Sequence, residues 1–194
     1  MTAAGRFFSI SRTQSQTTNT AISSRRTNML SVALICTANR CRSVMAHAIF
    51  VAEAASRGLS VDVYSAGVYD FTDQPPIDDT IRTCLRHNTP SPKEAPTWVR
   101  DLPLDSIDRF LVMEQHHADV LARQFGVPPE RVSLLGEFDP HGRGSEIADP
   151  FDRGSLVYDK SYMQIRDCIV NYLDTAESAG ASPPSRPRAD SSAS

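Results

Sequence analysis

Residues 31–56 read SVALICTANRCRSVMAHAIFVAEAAS, and the fold turns on them. Ser31–Cys36 is a short, predominantly apolar run of the kind buried on both faces of a parallel sheet. Val44–Ser56 follows at helical spacing, with Met45, Ile49 and Ala52 on one face, and Gly58 closes it. Strand, loop and helix in that order make the first half of a βαβ unit.

The pattern repeats downstream. Val61–Ser65 alternates as a second strand, and Pro76–His87 reads as a helix started by Pro75 and Pro76. Arg109–Met113 is a third strand, His116–Phe125 a helix ended by Gly126, and Arg131–Leu135 a short fourth strand. Ser155–Glu177 is a long helix with Tyr158, Tyr162, Ile165, Ile169, Tyr172 and Leu173 along one side. The expectation is one α/β domain over 29–179 with a small parallel sheet, whose ligands gather at the carboxyl ends of the strands. The first such end is Cys36.

Composition sets the outer limits. With 194 residues, 40% apolar and 22% charged, the chain can bury a real core. No apolar run approaches the roughly 20 residues of a spanning helix, so no membrane span is expected. Residues 1–28 carry four Arg, eleven Ser or Thr and no acid, and 180–194 is a Pro/Ser-rich tail of charge +1. A total of −3 therefore leaves −8 on 29–179, a poor match for nucleic acid. Both ends are expected to be disordered. For 1–28 an organelle transit peptide, or an over-long start with Met29 as the first residue, are the other readings.

Chemistry concentrates in Cys36-Thr37-Ala38-Asn39-Arg40-Cys41-Arg42-Ser43. A loop entering a helix N-terminus turns several N–H groups, from Thr37 to Ser43, into one concavity where the helix dipole also favours negative charge. A phosphate-sized dianion fits such a concavity. The same donors would hold the Cys36 thiol as a thiolate. Arg42 is placed to fold back and bind two oxygens bidentately, and Ser43 to donate to the thiolate or the leaving group. Asn39 suits a left-handed turn that braces the loop. Thiolate chemistry at phosphorus also needs a group that gives and takes a proton. Asp149, followed by Pro150 and Phe151 in a Gly-rich stretch before the last helix, is the first candidate, and Asp139 of a second Asp-Pro the competitor. Tyr69, Phe71, Phe151 and Trp98 are candidate rim residues for an aromatic group, with packing as the other reading. His116 and His117 read as helix-surface or rim residues, and without a third ligand no metal site is expected. Cys84 and Cys168 read as core.

These residues resemble the low-molecular-weight protein tyrosine phosphatases, which place CxxNxCRS between the first strand and helix and an Asp-Pro-aromatic before the last helix. Here those are Cys36–Ser43 and Asp149–Phe151, 113 positions apart from Cys to Asp. Ser65-Ala66-Gly67, Gln74-Pro75-Pro76 and Leu111-Val112-Met113-Glu114 are similar too. The resemblance, over about Ser31–Asp174, implies a four-stranded parallel sheet flanked by helices on both faces and no cofactor. It implies a phosphocysteine on Cys36, phosphate held by Arg42 and the loop amides, and Asp149 as general acid and then base. It also implies a cytoplasmic enzyme, monomeric or weakly dimeric, acting on phosphotyrosine proteins; a bacterial tyrosine kinase is a typical partner of bacterial relatives. Cys41 matches the second loop Cys, able to form a disulfide with Cys36 and protect it, or simply to pack.

The departures are specific. Val44 stands where the family has Pro, and no His near Lys93–Glu94 braces the Asn. Arg40 stands where tyrosine phosphatases carry an aliphatic residue and arginine phosphatases a Thr, so it either meets an acidic substrate or points to solvent. Met113-Glu114-Gln115-His116 lacks the cysteines of arsenate-reducing relatives. A protein-arginine phosphatase and a non-catalytic phosphate-binding module are the alternative functions.

Overall fold

In a computed structural model the described residues are 30–75, 77–89 and 95–178. The expectations for 1–28, 180–194 and Lys93–Glu94 lie outside them.

Strand β1 (Leu30–Cys36) is buried along almost its whole length because it pairs on both edges. On one edge lies β2 (Val61–Gly67), on the other β3 (Arg109–Val112), and β4 (Val132–Leu134) pairs with β3, all parallel, in the order β2-β1-β3-β4. The alternation of β1 divides the core between two faces. Val32, Leu34 and Cys36 join the layer of α1 (Arg42–Ser56), α2 (Asp78–Arg86) and α4 (Ser155–Ser178). Ala33 and Ile35 join that of α3 (Gln115–Phe125), which supplies Val120 and Leu121. Side chains such as Leu34 and Ile35, at 0% exposure, are worth about 1.5–3 kcal/mol each in burial.

The helices stop where the sequence says they should. Gly58 and Gly126 take left-handed φ of 65° and 66° just past α1 and α3. Helix α4 buries Tyr158, Tyr162, Ile165, Ile169, Tyr172 and Leu173, with Cys168 between them, and Cys84 is likewise fully buried in α2. No described helix is long and apolar enough to cross a membrane.

Element boundaries fall within two residues of the sequence reading, and two of the shifts bear on the loop and the sheet edge. Helix α1 begins at Arg42 rather than Val44, so Arg42 and Ser43 lie in its first turn. Strand β4 is only three residues, bracketed by 3-10 turns at Pro129–Arg131 and Leu135–Phe138. Register aligns Cys36 with Gly67 and Ile35 with Val112, so the carboxyl ends of β1, β2 and β3 open at one edge of the sheet.

Candidate active site

The loop from Thr37 to Cys41 is fixed from three sides. Amides of Val68 and Tyr69 donate to the carbonyls of Cys36 (2.9 Å) and Thr37 (3.1 Å). In a planar trans peptide the N–H points opposite its C=O, so the amides of Thr37 and Ala38 face away from the Val68–Tyr69 edge. The approach is close: a Cβ on Gly67 would stand 2.7 Å from the carbonyl carbon of Ala38 and 2.9 Å from the Thr37 oxygen. Asn39 turns the loop at a left-handed φ of 53° and is buried. Its Oδ1 accepts from the Thr97 amide at 2.8 Å and its Nδ2 donates to Ser43 Oγ at 2.8 Å. The Asn39 side chain is thus held between the Thr97 backbone and the Ser43 hydroxyl. Ser43 Oγ, already accepting from Asn39, lies 3.0 Å from Cys36 Sγ, so its proton is available to the sulfur.

Arg42 is 1% exposed and almost fully engaged. Its Nη1 donates to Glu114 Oε1 and to the Ile147 carbonyl (2.9 Å). Its Nη2 donates to Asp149 Oδ2 (2.6 Å) and Thr37 Oγ1 (3.4 Å). Its Nε is buried without a partner. Burial works against the cation, but Cys36, Glu114 and Asp149 outweigh it and raise the Arg42 pKa. Glu114 follows β3 and caps α3. Burial favours its neutral form, yet the Arg42 hydrogen bond and charge bring its pKa below the usual carboxylate value.

His117, expected at the surface or rim, is fully buried. Its Nδ1 accepts from the Glu114 amide (3.1 Å) and its Nε2 meets Thr37 Oγ1 (3.0 Å). Burial first, and Arg42 second, push it down to about 4, so the ring is neutral at pH 7.

These groups border a cavity of about 250 Å³. Cys36, Thr37, Ala38, Cys41 and Arg42 line it, with Asp149 beside them and Arg40, Phe71, Ile77 and Phe151 around them. Asn39 and Ser43 stand behind as braces. Arg40 does not swing free: its Nε donates to the Pro75 carbonyl at 2.8 Å. Cys41 Sγ lies 3.3 Å from Tyr158 Oη, and burial pushes its thiol up to about 11.

Three candidates fall elsewhere. Tyr69 is not on the cavity wall; its hydroxyl pairs with His116 Nε2 at 2.8 Å. Trp98 packs edge-on against Phe125 (6.4 Å between ring centres) under the Arg100 guanidinium, and its Nε1 donates to Val68. Asp139 is clasped by Arg143 (2.8 and 3.0 Å) and the His141 amide, and it anchors a turn away from the cavity lining. Glu114, Ile147 and Ile77 are the parts of the site that sequence reasoning missed, together with the burial of His117 against Thr37. The signal for Glu114 was its place two residues beyond β3, on the edge where β1 ends.

The family model for the low molecular weight phosphotyrosine protein phosphatases matches residues 31–182. The protein-arginine-phosphatase of Bacillus subtilis is 30% identical over 144 residues, 74% of this chain and 92% of that one. The low molecular weight protein-tyrosine phosphatase A of Mycobacterium tuberculosis is 33% identical over 151 residues, 75% of this chain and 90% of that one. The solution structure of a low molecular weight protein tyrosine phosphatase from Bacillus subtilis superposes with a TM-score of 0.68 at 25% identity, covering 77% of this chain and 98% of that one.

Proposed function

The chain belongs to the low molecular weight phosphotyrosine protein phosphatase family, and on that footing we propose that it hydrolyses phosphotyrosine in proteins through a phosphocysteine on Cys36. One observation carries the reading: Cys36 and Asp149 line a single cavity with an Arg42 whose Nε, buried and unpartnered, has a donor left for an anion.

The chemistry follows from those positions. The phosphoryl dianion accepts from the Thr37 and Ala38 amides and from Arg42. Cys36 Sγ, with Ser43 Oγ 3.0 Å away as donor, attacks phosphorus in line as the P–O bond to the tyrosine breaks. Asp149 in its acid form gives the leaving oxygen its proton. Asp149 then takes a proton from water, the water oxygen attacks phosphorus, and the S–P bond breaks to release phosphate and the thiolate. Cys41, lining the same cavity, is the thiol placed to close a disulfide on an oxidised Cys36. Four unpaired thiols suit a cytoplasmic setting, where such groups stay reduced. The partner is a protein carrying phosphotyrosine, a bacterial tyrosine kinase among the candidates.

The arginine phosphatase among the relatives makes phosphoarginine the second reading. Phe71, Ile77 and Phe151 offer a phenyl ring an apolar surround, whereas the Arg40 guanidinium on the same cavity repels a cationic one. The decisive experiment compares wild-type protein and Cys36→Ser on phosphotyrosine and phosphoarginine peptides. Wild-type turnover of phosphotyrosine by at least tenfold over phosphoarginine, and none by Cys36→Ser, is expected. The reverse preference makes the enzyme an arginine phosphatase. Phosphate binding without any turnover makes it a non-catalytic module.

A further inference from the structure

The hydrogen bonds around Thr37 assign a direction to its hydroxyl. The Glu114 amide donates to His117 Nδ1, so in the neutral ring the proton sits on Nε2, and Nε2 donates to Thr37 Oγ1 at 3.0 Å. Arg42 Nη2 also donates to that oxygen, at 3.4 Å. Both groups that reach Thr37 Oγ1 bring a hydrogen of their own, so the threonine's proton is left for a third group. Thr37 lines the cavity beside Cys36, Ala38 and Arg42, where the phosphoryl group docks.

Resting on the phosphatase reading above, we propose that the Thr37 hydroxyl is a side-chain donor to a non-bridging phosphoryl oxygen, and that His117 is the positioning residue that turns it there. His117 is suited to that work. It is fully buried, locked by the Glu114 amide, and held neutral by burial and by Arg42, so its hydrogen-bond sense is fixed through the neutral range. A threonine free to rotate would present a lone pair to the anion as readily as a proton.

The test reads inorganic phosphate binding by calorimetry, which needs no turnover, beside kcat and KM on an aryl phosphate. Thr37→Val, nearly isosteric, is expected to weaken phosphate about tenfold and Thr37→Ser to recover most of it. His117→Leu is expected to weaken phosphate in the Thr37 background and to add nothing in the Thr37→Val background, because it acts through that hydroxyl. Unchanged phosphate affinity in Thr37→Val overturns the proposal, and it is decisive even where His117→Leu fails to fold. Additive losses in the double variant overturn the part given to His117. A wild-type protein that binds phosphate but hydrolyses no ester removes the phosphatase reading and leaves the donor assignment standing on the calorimetry.

Discussion

Asp149 Oδ2 lies 2.6 Å from Arg42 Nη2, so the proposed proton-transfer group and the proposed anion-binding group of one cavity are each other's partners. A phosphoryl dianion that docks on Arg42 meets the Asp149 carboxylate as a like charge. Asp149→Asn is therefore expected to bind phosphate or vanadate roughly tenfold more tightly. The same variant is expected to hydrolyse a phenyl-type ester on the order of 10²–10⁴ times more slowly, with a smaller loss for a highly activated leaving group. Competition by phosphate and a two-substrate kinetic comparison measure both. Equal losses on the two esters would remove Asp149 from the acid role.

Glu114 takes up one end of a buried cation. Glu114→Ala leaves the Arg42 Nη1 side with only the Ile147 carbonyl and removes the cap of α3. Asp149 still pairs with the other end of the guanidinium, so the cation keeps one carboxylate and loses one charged hydrogen bond, and a loss of about 2 kcal/mol is expected in urea unfolding. Glu114→Gln, which can still accept, is expected to lose less.

Gly67→Ala tests the close approach behind the loop. Its Cβ would meet backbone atoms of Ala38 and Thr37 rather than a yielding side-chain end. Loss of phosphate affinity together with a lower melting temperature is expected, although position 67 touches no ligand.

Asp139 reports on acid stability. Hydrogen bonds from Arg143, aided by the His141 amide, hold its carboxyl at about 2, against the ordinary value of 3.8. A carboxyl depressed on folding stabilises the native state above its unfolded pKa, and that contribution fades as pH falls from about 4 to about 2. Asp139→Asn is expected to cost about 1 kcal/mol at pH 7, with wild type and variant converging near pH 2. Its aryl phosphatase rate is expected to stay near wild type, which separates it from Asp149.

The sheet and the nucleophile were legible because both follow from short-range pattern. An apolar six-residue run, a Cys-x5-Arg-Ser loop and a helical face are read without knowing what lies across the sheet. Asp149 was legible by its Asp-Pro-aromatic setting, which also pointed to Phe151, whereas Phe71 stood only as one aromatic candidate beside Tyr69 and Trp98. What escaped depends on register. Glu114 meets Arg42 only because β3 lies beside β1 with Val112 opposite Ile35. His117, third residue of α3, has the polar look of a helix start, yet the packing of α3 buries it against Thr37. Tyr69 and Trp98 mark the opposite error: aromatic character alone does not distinguish a cavity wall from a ring that finds its partner in His116 or Phe125.

All four cysteines are buried thiols, but only Cys36 and Cys41 border the cavity, while Cys84 on α2 and Cys168 on α4 are buried in the core. Among the described residues the thiols therefore offer alkylating reagents one doorway, this cavity. A small anionic haloacetate should enter it and a bulky maleimide should not. Inorganic phosphate should shield it, so stoichiometric labelling counts competent sites in any preparation without an introduced tag.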